Sequence, residues 1–130
     1  MSNAFSLLGI PASGMRVYRT WLDAISDNVA NISTITSTDQ AAYQERFVVA
    51  RAAQGGGVVV EGARFGDPNG RLLYDPNHPL ADEAGFVRAP DMDLVDQMTS
   101  LIIAQRAYQA NVTVFERARD AYLRALELGK

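Results

Sequence analysis

The most regular feature of this chain is an apolar stripe through residues 94–126. Its members recur in alternating steps of four and three, the 3.5-residue repeat of a helix that packs along another helix. At 1.5 Å per residue the stripe runs for about 50 Å, too long for so small a chain to cover completely. We therefore expect most of it to need a partner. The stripe consists of Leu94, Met98, Leu101, Gln105, Tyr108, Val112, Phe115, Arg119, Tyr122 and Leu126, flanked by Val95, Ile102 and Leu123.

A second apolar series with the same spacing lies near the N-terminal end. Pro11 suits the first position of a helix, where its missing N–H has no intrahelical role. Asn31 tolerates the left-handed conformation of a helix cap, and a β-branched and hydroxyl-rich run follows it. We therefore predict a helix that begins at about Pro11 and ends at Asn31. The series comprises Leu8, Pro11, Met15, Tyr18, Leu22, Ile25, Val29 and Ile32.

Short β-prone segments lie between the two stripes. Turn signals separate them: a run of three glycines at 55–57, an Asp-Pro-Asn-Gly sequence at 67–70 and a loop with two prolines at 75–79. Segments this short can form a hairpin or a three-stranded sheet but no independent core. They span residues 43–50, 58–65, 71–74 and 86–88.

The second helix has a clear start and stop. Asp93 is a suitable N-cap, Asp96 favours the positive end of the helix dipole, and Gly129 can end the helix. The chain is therefore predicted to be mainly α, with a small β insert between two helices. Its parts are an N-terminal helix region at residues 1–33, a β-rich insert with a proline-rich loop at 34–90 and a C-terminal helix region at 91–130.

Composition narrows the class of protein. The 130 residues carry a formal charge of −3, which offers no broad basic field for a nucleic-acid backbone. The chain has no cysteine, so disulfides and thiolate metal sites are excluded. Its N-terminal end lacks the basic residues and long apolar run of a cleavable signal peptide, and no apolar stretch reaches the roughly 20 residues of a membrane span. We expect neither a nucleic-acid partner nor a membrane-spanning segment.

Catalytic or metal-binding chemistry has little support in the sequence. His78 is the sole histidine and lies in a proline-flanked turn, without a nucleophile at a recognisable motif spacing. A group of acidic residues could suggest calcium, but their spacing does not match an EF-hand loop. We expect turn and helix-cap roles for these side chains, and no cofactor, metal or small-molecule substrate. The acidic group comprises Asp75, Asp82, Glu83, Asp91 and Asp93.

Charged residues on the last helix alternate in sign at helical spacing. This pattern predicts a face laced by salt bridges, formed by Arg106, Arg117, Arg119 and Arg124 with Glu116, Asp120 and Glu127. Gln105 and Arg119 are the polar members of the stripe itself. Polar residues at such positions can fix helix register and partner choice, which we hypothesise for both.

Several motifs together resemble the flagellar basal-body rod proteins. They are Ser-Gly-Met at 13–15, Asp-Asn-Val-Ala-Asn-Ile-Ser-Thr at 27–34, Tyr-Asp-Pro-Asn-His-Pro-Leu-Ala-Asp at 74–82 with Gly-Phe-Val at 85–87, Arg-Ala-Tyr-Gln-Ala-Asn at 106–111 and the closing segment 121–129. The N-terminal motif is shared by rod, hook and hook-associated proteins. The loop at 75–87 and the short chain are what favour a proximal rod protein.

The resemblance implies a structural subunit of the proximal rod. In such proteins the terminal helices pair as an antiparallel coiled coil and stack with copies of themselves and with proximal, distal and rod-to-ring adaptor neighbours into a tube. That tube transmits torque across the periplasm and encloses the export channel, and its subunits leave the cell through the flagellar type III apparatus without a cleavable signal. Before assembly the termini are expected to be largely disordered and to fold on incorporation.

The residues expected at the assembly interface are the apolar ones on the two stripes: Met15, Leu22, Ile25, Val29, Met98, Leu101, Ile102, Tyr108, Val112, Phe115, Tyr122 and Leu126. Polar register contacts or family-motif positions are expected at Asn28, Asn31, Asp75, Pro76, His78, Pro79, Arg106 and Asn111. Three other interpretations stay open at this point. They are a soluble coiled-coil adaptor, a small enzyme using His78, and another rod or hook axial protein.

Overall fold

The computed structural model describes residues 2–129, with side chains from Leu7 to Gly129. Two long helices enclose two small sheets in the order α1, β1, β2, β3, β4, α2, which confirms a mainly α fold with a β insert. The helices are α1 (Ser2–Asn31) and α2 (Leu94–Leu128). The strands are β1 (Arg46–Ala52), β2 (Val58–Phe65), β3 (Arg71–Tyr74) and β4 (Phe86–Ala89). No helix of residues 2–129 is long and apolar enough to cross a membrane.

The predicted start and cap of α1 are wrong. The helix begins at Ser2 and continues through Pro11, whose ring is buried, so packing offsets the one N–H bond that proline cannot make. At the other end, no described residue except glycine has a positive φ, so Asn31 is not left-handed. Instead, the Ile32 N–H donates to the Val29 carbonyl and the Asn31 side-chain amide donates to the Asp27 carbonyl. A tightened last turn closes the helix.

The predicted bounds of α2 are confirmed. The Asp93 carboxylate accepts hydrogen bonds from the N–H groups of Val95 at 2.7 Å and Asp96 at 3.4 Å, which satisfies two free donors of the first turn. The helix ends at Leu128, directly before Gly129. Local sequence signals therefore fix both ends of this 35-residue helix.

The predicted small β insert is confirmed, but it consists of two separate two-stranded sheets, β1–β2 and β3–β4, instead of one hairpin or a three-stranded sheet. Strand β4 pairs antiparallel with β3 from Arg71↔Ala89 to Tyr74↔Phe86, and a bridge between Thr36 and Arg88 occupies its other edge. Thr36 belongs to the irregular segment after α1, whose β-branched residues we interpreted as the exit from the helix and not as a strand. Its pairing depends on a partner that lies far away in the sequence.

The chain divides into two compact units, and each contains part of both helices. The first unit comprises Met1–Leu22, Val48–Gly62 and Ile102–Lys130. The second unit comprises Asp23–Phe47 and Ala63–Leu101. The start of α1 shares a unit with the end of α2, and the end of α1 shares a unit with the start of α2. The two helices are therefore antiparallel, as predicted.

Candidate assembly interface

In the first unit, the helices approach each other closely at Gly14. A Cβ atom at this position would lie 2.6 Å from Oδ1 and 2.8 Å from Cγ of Asn111, so no side chain fits there without a shift. Asn111 is held by its own helix, because its Nδ2 donates to the Ala107 carbonyl at 2.9 Å. The contact therefore depends on a glycine in α1 opposite a short polar residue in α2.

The same unit holds the β1–β2 hairpin against α1 through Ser13. The buried Ser13 hydroxyl donates to the Ile10 carbonyl at 2.7 Å and accepts from the Val58 N–H at 3.0 Å. Both serine and glycine of the Ser-Gly-Met motif thus have structural roles: one residue fixes a strand and the next allows helix contact.

In the second unit, Asn28 connects three elements. Its Oδ1 accepts from the Arg46 N–H at 2.9 Å and the Tyr43 hydroxyl at 3.1 Å, and its Nδ2 donates to the Arg46 carbonyl at 3.1 Å and to Gln97 Oε1 at 3.2 Å. All four hydrogen-bonding positions of the amide are used, although the residue is 2% exposed. Asn28 therefore pairs with the backbone of β1 as a strand would and also contacts α2.

The neighbours of Asn28 extend this polar network. Gln97 is buried, and its Nε2 donates to Glu45 Oε1 at 2.5 Å. Arg46 forms an ion pair with Asp27, next to Asn28 in α1. Burial raises the pKa of the Tyr43 phenol, so this hydroxyl stays a hydrogen-bond donor. The network gives the pair of helices a polar register contact within the chain.

The face of α2 that contacts α1 overlaps the predicted stripe only in part, because it shares Leu101, Tyr108 and Phe115 with the stripe and adds small or polar residues beside them. Gln97 and Asn111 contact α1, and Ala104, midway between them, is fully buried. These residues are spaced by seven and are small or polar, whereas Gln105 and Arg119 are exposed. The two polar stripe residues are therefore not register contacts between α1 and α2.

The predicted stripe itself covers two surfaces. Leu101, Tyr108 and Phe115 are half-buried, and Leu101 lines a groove with Met98, Ile25 and Val29 in the second unit. In the first unit, Tyr108 and Phe115 line another groove with Met15. Other stripe members face outwards: Met98 is 40% exposed, Ile102 50% and Leu126 45%. Val112, Leu22 and Tyr122 are half-buried.

The proline-rich loop is closed by its own hydrogen bonds. His78 Nδ1 accepts from the Leu80 N–H at 3.0 Å, and the His78 N–H donates to the Asp75 carbonyl at 3.1 Å. Pro76 and Pro79 are exposed on either side of it, and Tyr74 packs edge-on against Phe86 at 5.3 Å between ring centroids. Within residues 2–129 no three His, Asp or Glu side chains converge to hold a metal ion. His78 has a turn role in this geometry.

Asp82 ties this loop to the segment after α1. Its carboxylate accepts from the Phe86 N–H at 2.9 Å and from the Thr38 hydroxyl at 3.0 Å. The backbone hydrogen bond from Phe86 is the main reason that the pKa of Asp82 lies below its usual range. Asp82 therefore stabilises this turn, a role that we expected from the sequence for the acidic group as a whole.

A pH dependence follows from Asp82. A lowered pKa in the folded state means that the charged carboxylate stabilises the fold above its unfolded pKa of about 4 and loses that effect as pH falls below it. We expect Asp82→Asn to be less stable than the natural chain at pH 7, with a difference that shrinks as pH falls below about 4. Urea unfolding of both chains between pH 3 and 7 measures this difference in stability, with Glu83→Gln as the matched control. A stability difference that is as large near pH 3 as at pH 7 contradicts this role of Asp82.

Sequence reasoning missed a second regular face of α2. It is formed by Ile103, Ala107, Ala110, Val114, Arg117, Ala121, Arg124 and Leu128, again in steps of four and three, and we term it the alanine–arginine face. Ile103 is 51% exposed and Val114 54% exposed. The spacing was available in the sequence, but five of its eight residues are alanine or arginine, so the face does not stand out by hydropathy alone.

The predicted salt-bridge lacing of α2 is wrong. Among the described residues of α2 there is one ion pair, between Arg119 and the adjacent Asp120 at 3.4 Å, and both side chains are more than half exposed. Arg106, Arg117 and Arg124 are exposed and have no carboxylate within ion-pair distance in the part of the chain that the structure describes. An exposed ion pair contributes too little free energy to fix a long arginine side chain in one conformation.

Comparison with known proteins gives consistent similarities. A family model described as the flagellar basal body rod FlgEFG protein C-terminal matches residues 83–128. The flagellar basal-body rod protein FlgC of Escherichia coli O6:H1 is 32% identical over 130 residues, covering 96% of this chain and 97% of its own length. The FlgC of Aquifex aeolicus is 32% identical over the full length of both chains, and that of Bacillus subtilis is 28% identical over 98% of this chain.

Proposed function

Since this chain belongs to the family of the flagellar basal-body rod protein FlgC, and is thus a structural subunit of the bacterial flagellar basal-body rod, we propose that it forms the proximal rod. Members of this family assemble with copies of themselves and with other rod components. In our proposal the neighbours include proximal and distal rod subunits and the rod-to-ring adaptor. The chain acts mechanically and without catalysis.

The observation that carries this proposal is the exposed apolar surface of α2. A single 35-residue helix exposes apolar side chains on the flank that holds Met98 and Ile102 and also on the alanine–arginine face. Exposed apolar surface of this extent marks interaction sites in proteins that assemble. One helix with two uncovered faces can contact subunits on two sides, which a tubular wall requires.

Torque transmission follows from packing of this kind. Interfaces that repeat head to tail without closing generate helical filaments, and many packed helices around a tube resist twisting. We propose that the tube encloses the channel for later export substrates and crosses the periplasm. The subunit itself reaches this site through the flagellar type III export apparatus.

A substitution in the half-buried part of the stripe tests the function. We expect Val112→Asp to abolish swimming and basal bodies with complete rods, while the protein is still produced. The reason is that an aspartate enclosed between helices loses water and gains no partner, at a cost of several kcal/mol. Swimming in soft agar and electron microscopy of isolated basal bodies measure the effect.

The matched control is Gln54→Asp, which places the same carboxylate on an exposed position of the loop between β1 and β2, outside α2, and is expected to leave swimming within about twofold of the natural chain. Immunoblots of both strains exclude a difference in protein level. Complete rods and normal swimming with Val112→Asp would contradict the proposed assembly surface.

A further inference from the structure

The two units carry opposite net charges. The first unit has eight Lys or Arg against four Asp or Glu, a formal charge of +4. The second unit has four Lys or Arg against eleven Asp or Glu, a formal charge of −7. The overall value of −3 conceals this asymmetry. A chain divided in this way can bind a second copy through unlike units.

Three of the eight basic residues of the first unit lie on or beside one apolar surface. Arg117 and Arg124 are members of the alanine–arginine face, and Arg106 borders it, four residues before Ala110. The acidic residues of the same part of α2, Glu116, Asp120 and Glu127, are not members of this series; Asp120 and Glu127 border it, three or four residues from its arginines, and Asp120 pairs with Arg119. The face therefore combines exposed apolar side chains with unpaired guanidinium groups and contains no carboxylate.

The second unit carries the complementary chemistry. Asp75, Glu83 and Asp91 are exposed and have no ion-pair partner among the described residues. Exposed apolar side chains lie near them in the sequence, with Leu80 at 45% and Tyr74 at 68%. Asp27, by contrast, is already neutralised by Arg46. An apolar face that carries arginines can bind carboxylates that lie next to apolar groups, because guanidinium pairs bidentately with carboxylate.

We infer that the alanine–arginine face of one copy binds along the acidic β3–β4 hairpin of the second unit on a second copy, which carries Asp75 and Glu83 in its connecting loop and Asp91 just past its opposite end. This inference rests on the proposed rod function and names the chemistry of one subunit contact. The contact is heterologous, because unlike surfaces meet, so it can repeat along an assembly instead of closing a dimer. Charge also disfavours contacts between like surfaces, since two acidic or two basic surfaces repel each other.

The size of the face sets the expected affinity. Residues 103–128 of a helix extend for about 39 Å. A surface of this length and one helix-width covers less than the roughly 800 Å² per partner of a standard interface. The contact is therefore weak between two free copies and becomes strong when several subunits add contacts in one assembly. Its charge component makes it sensitive to salt, because the Debye length falls from about 10 Å at 0.1 M to about 3 Å at 1 M.

Sedimentation velocity of the purified full chain tests the inference. We expect concentration-dependent association at low salt that is reduced about tenfold or more near 1 M salt. The triple variant Arg106→Glu, Arg117→Glu, Arg124→Glu is expected to weaken association at low salt by about tenfold or more. The corresponding Arg→Gln triple, which adds no new repulsion, is expected to weaken it by a smaller factor.

A control and a charge exchange make the test specific. The variant Arg16→Glu, Arg19→Glu, Arg51→Glu changes the charge of the same unit equally, but away from the alanine–arginine face, and is expected to weaken association by less than about threefold. The variant Asp75→Lys, Glu83→Lys, Asp91→Lys is expected to fail to self-associate. Mixing it with the Arg106, Arg117 and Arg124 Glu triple is expected to restore association, because both unlike pairings are then available.

Absence of association in the natural chain, an equal loss in the control triple, or no recovery on mixing would each overturn the inference. Circular dichroism of each variant confirms that the helices are retained, and the Arg→Gln triple replaces the Glu triple if they are not. These failures are distinct from failure of the rod function. If Val112→Asp still blocks rod formation, the rod function stands without this contact, and complete rods in that strain count against the rod function itself.

Discussion

Replacing Asn28 with leucine is expected to lower the free energy of unfolding by about 4 kcal/mol. The amide is buried and satisfies the N–H and carbonyl of Arg46, the hydroxyl of Tyr43 and the side chain of Gln97. Leucine fills a similar volume but leaves these groups without partners, and each buried unsatisfied group costs about 1–3 kcal/mol. Small domains have only about 5–15 kcal/mol of stability, so the second unit should be largely lost. Urea unfolding followed by circular dichroism measures the change.

The control for this experiment is Asn31→Leu in the same helix. The Asn31 amide bonds its own helix through the Asp27 carbonyl and accepts from Thr34 at an exposed position. Loss of the Asn31 amide is expected to lower the free energy of unfolding by about 0.5 kcal/mol. A loss below about 1 kcal/mol for Asn28→Leu would show that the four bonds of Asn28 are replaced by water and that the helices do not depend on this network.

The elements that the sequence predicts correctly are those set by neighbours in the chain. The start of α2 depends on one carboxylate, because the Asp93 side chain reaches the N–H groups two and three residues later. Strand β2 begins after three glycines that all adopt positive φ, a conformation available to glycine and rare for other residues. Such signals act over a few residues, so they can be read without knowing the fold.

The sheet pairing could not be predicted in the same way. Thr36 pairs with Arg88, which lies more than fifty residues later, and the β-branched run around Thr36 does not indicate which strand it pairs with. Pro11 is a similar case. The local rule places proline at the start of a helix, and burial of its ring among other residues overrides that rule. Both outcomes depend on packing that no short stretch of sequence contains.

The orientation of α2 shows why apolar spacing alone is insufficient for the candidate site. Hydropathy favours a seam of large residues, but two helices that approach closely need small ones, and Ala104 and the Gly14–Asn111 contact meet that need. The large residues then remain partly exposed, Met98 and Ile102 among them. The sequence indicated a helix that needs partners, and the structure shows which of its sides α1 already covers.

The Gly14 contact gives the second large effect, with a sign that opposes helix propensity. Alanine is favoured over glycine in a helix by about 1 kcal/mol, so Gly9→Ala, where no atom lies within 4 Å of the new Cβ, should stabilise the chain by about that amount. Gly14→Ala is expected to destabilise it by about 2 kcal/mol, because the new Cβ collides with Asn111 and forces the helices to shift. Thermal and urea unfolding of both variants measure the two signs.

A double-mutant cycle assigns the effect to this contact. Asn111→Ala removes the colliding amide and is expected to cost less than about 1 kcal/mol alone, since its side chain bonds the Ala107 carbonyl of its own helix. Combined with Gly14→Ala it should return stability to about that of the natural chain, a coupling of about 2 kcal/mol between residues in direct contact. Additive losses in the double variant would mean that the helices tolerate a side chain at position 14 by other adjustments. In that case their close approach would not set the register of α1 against α2 in the first unit.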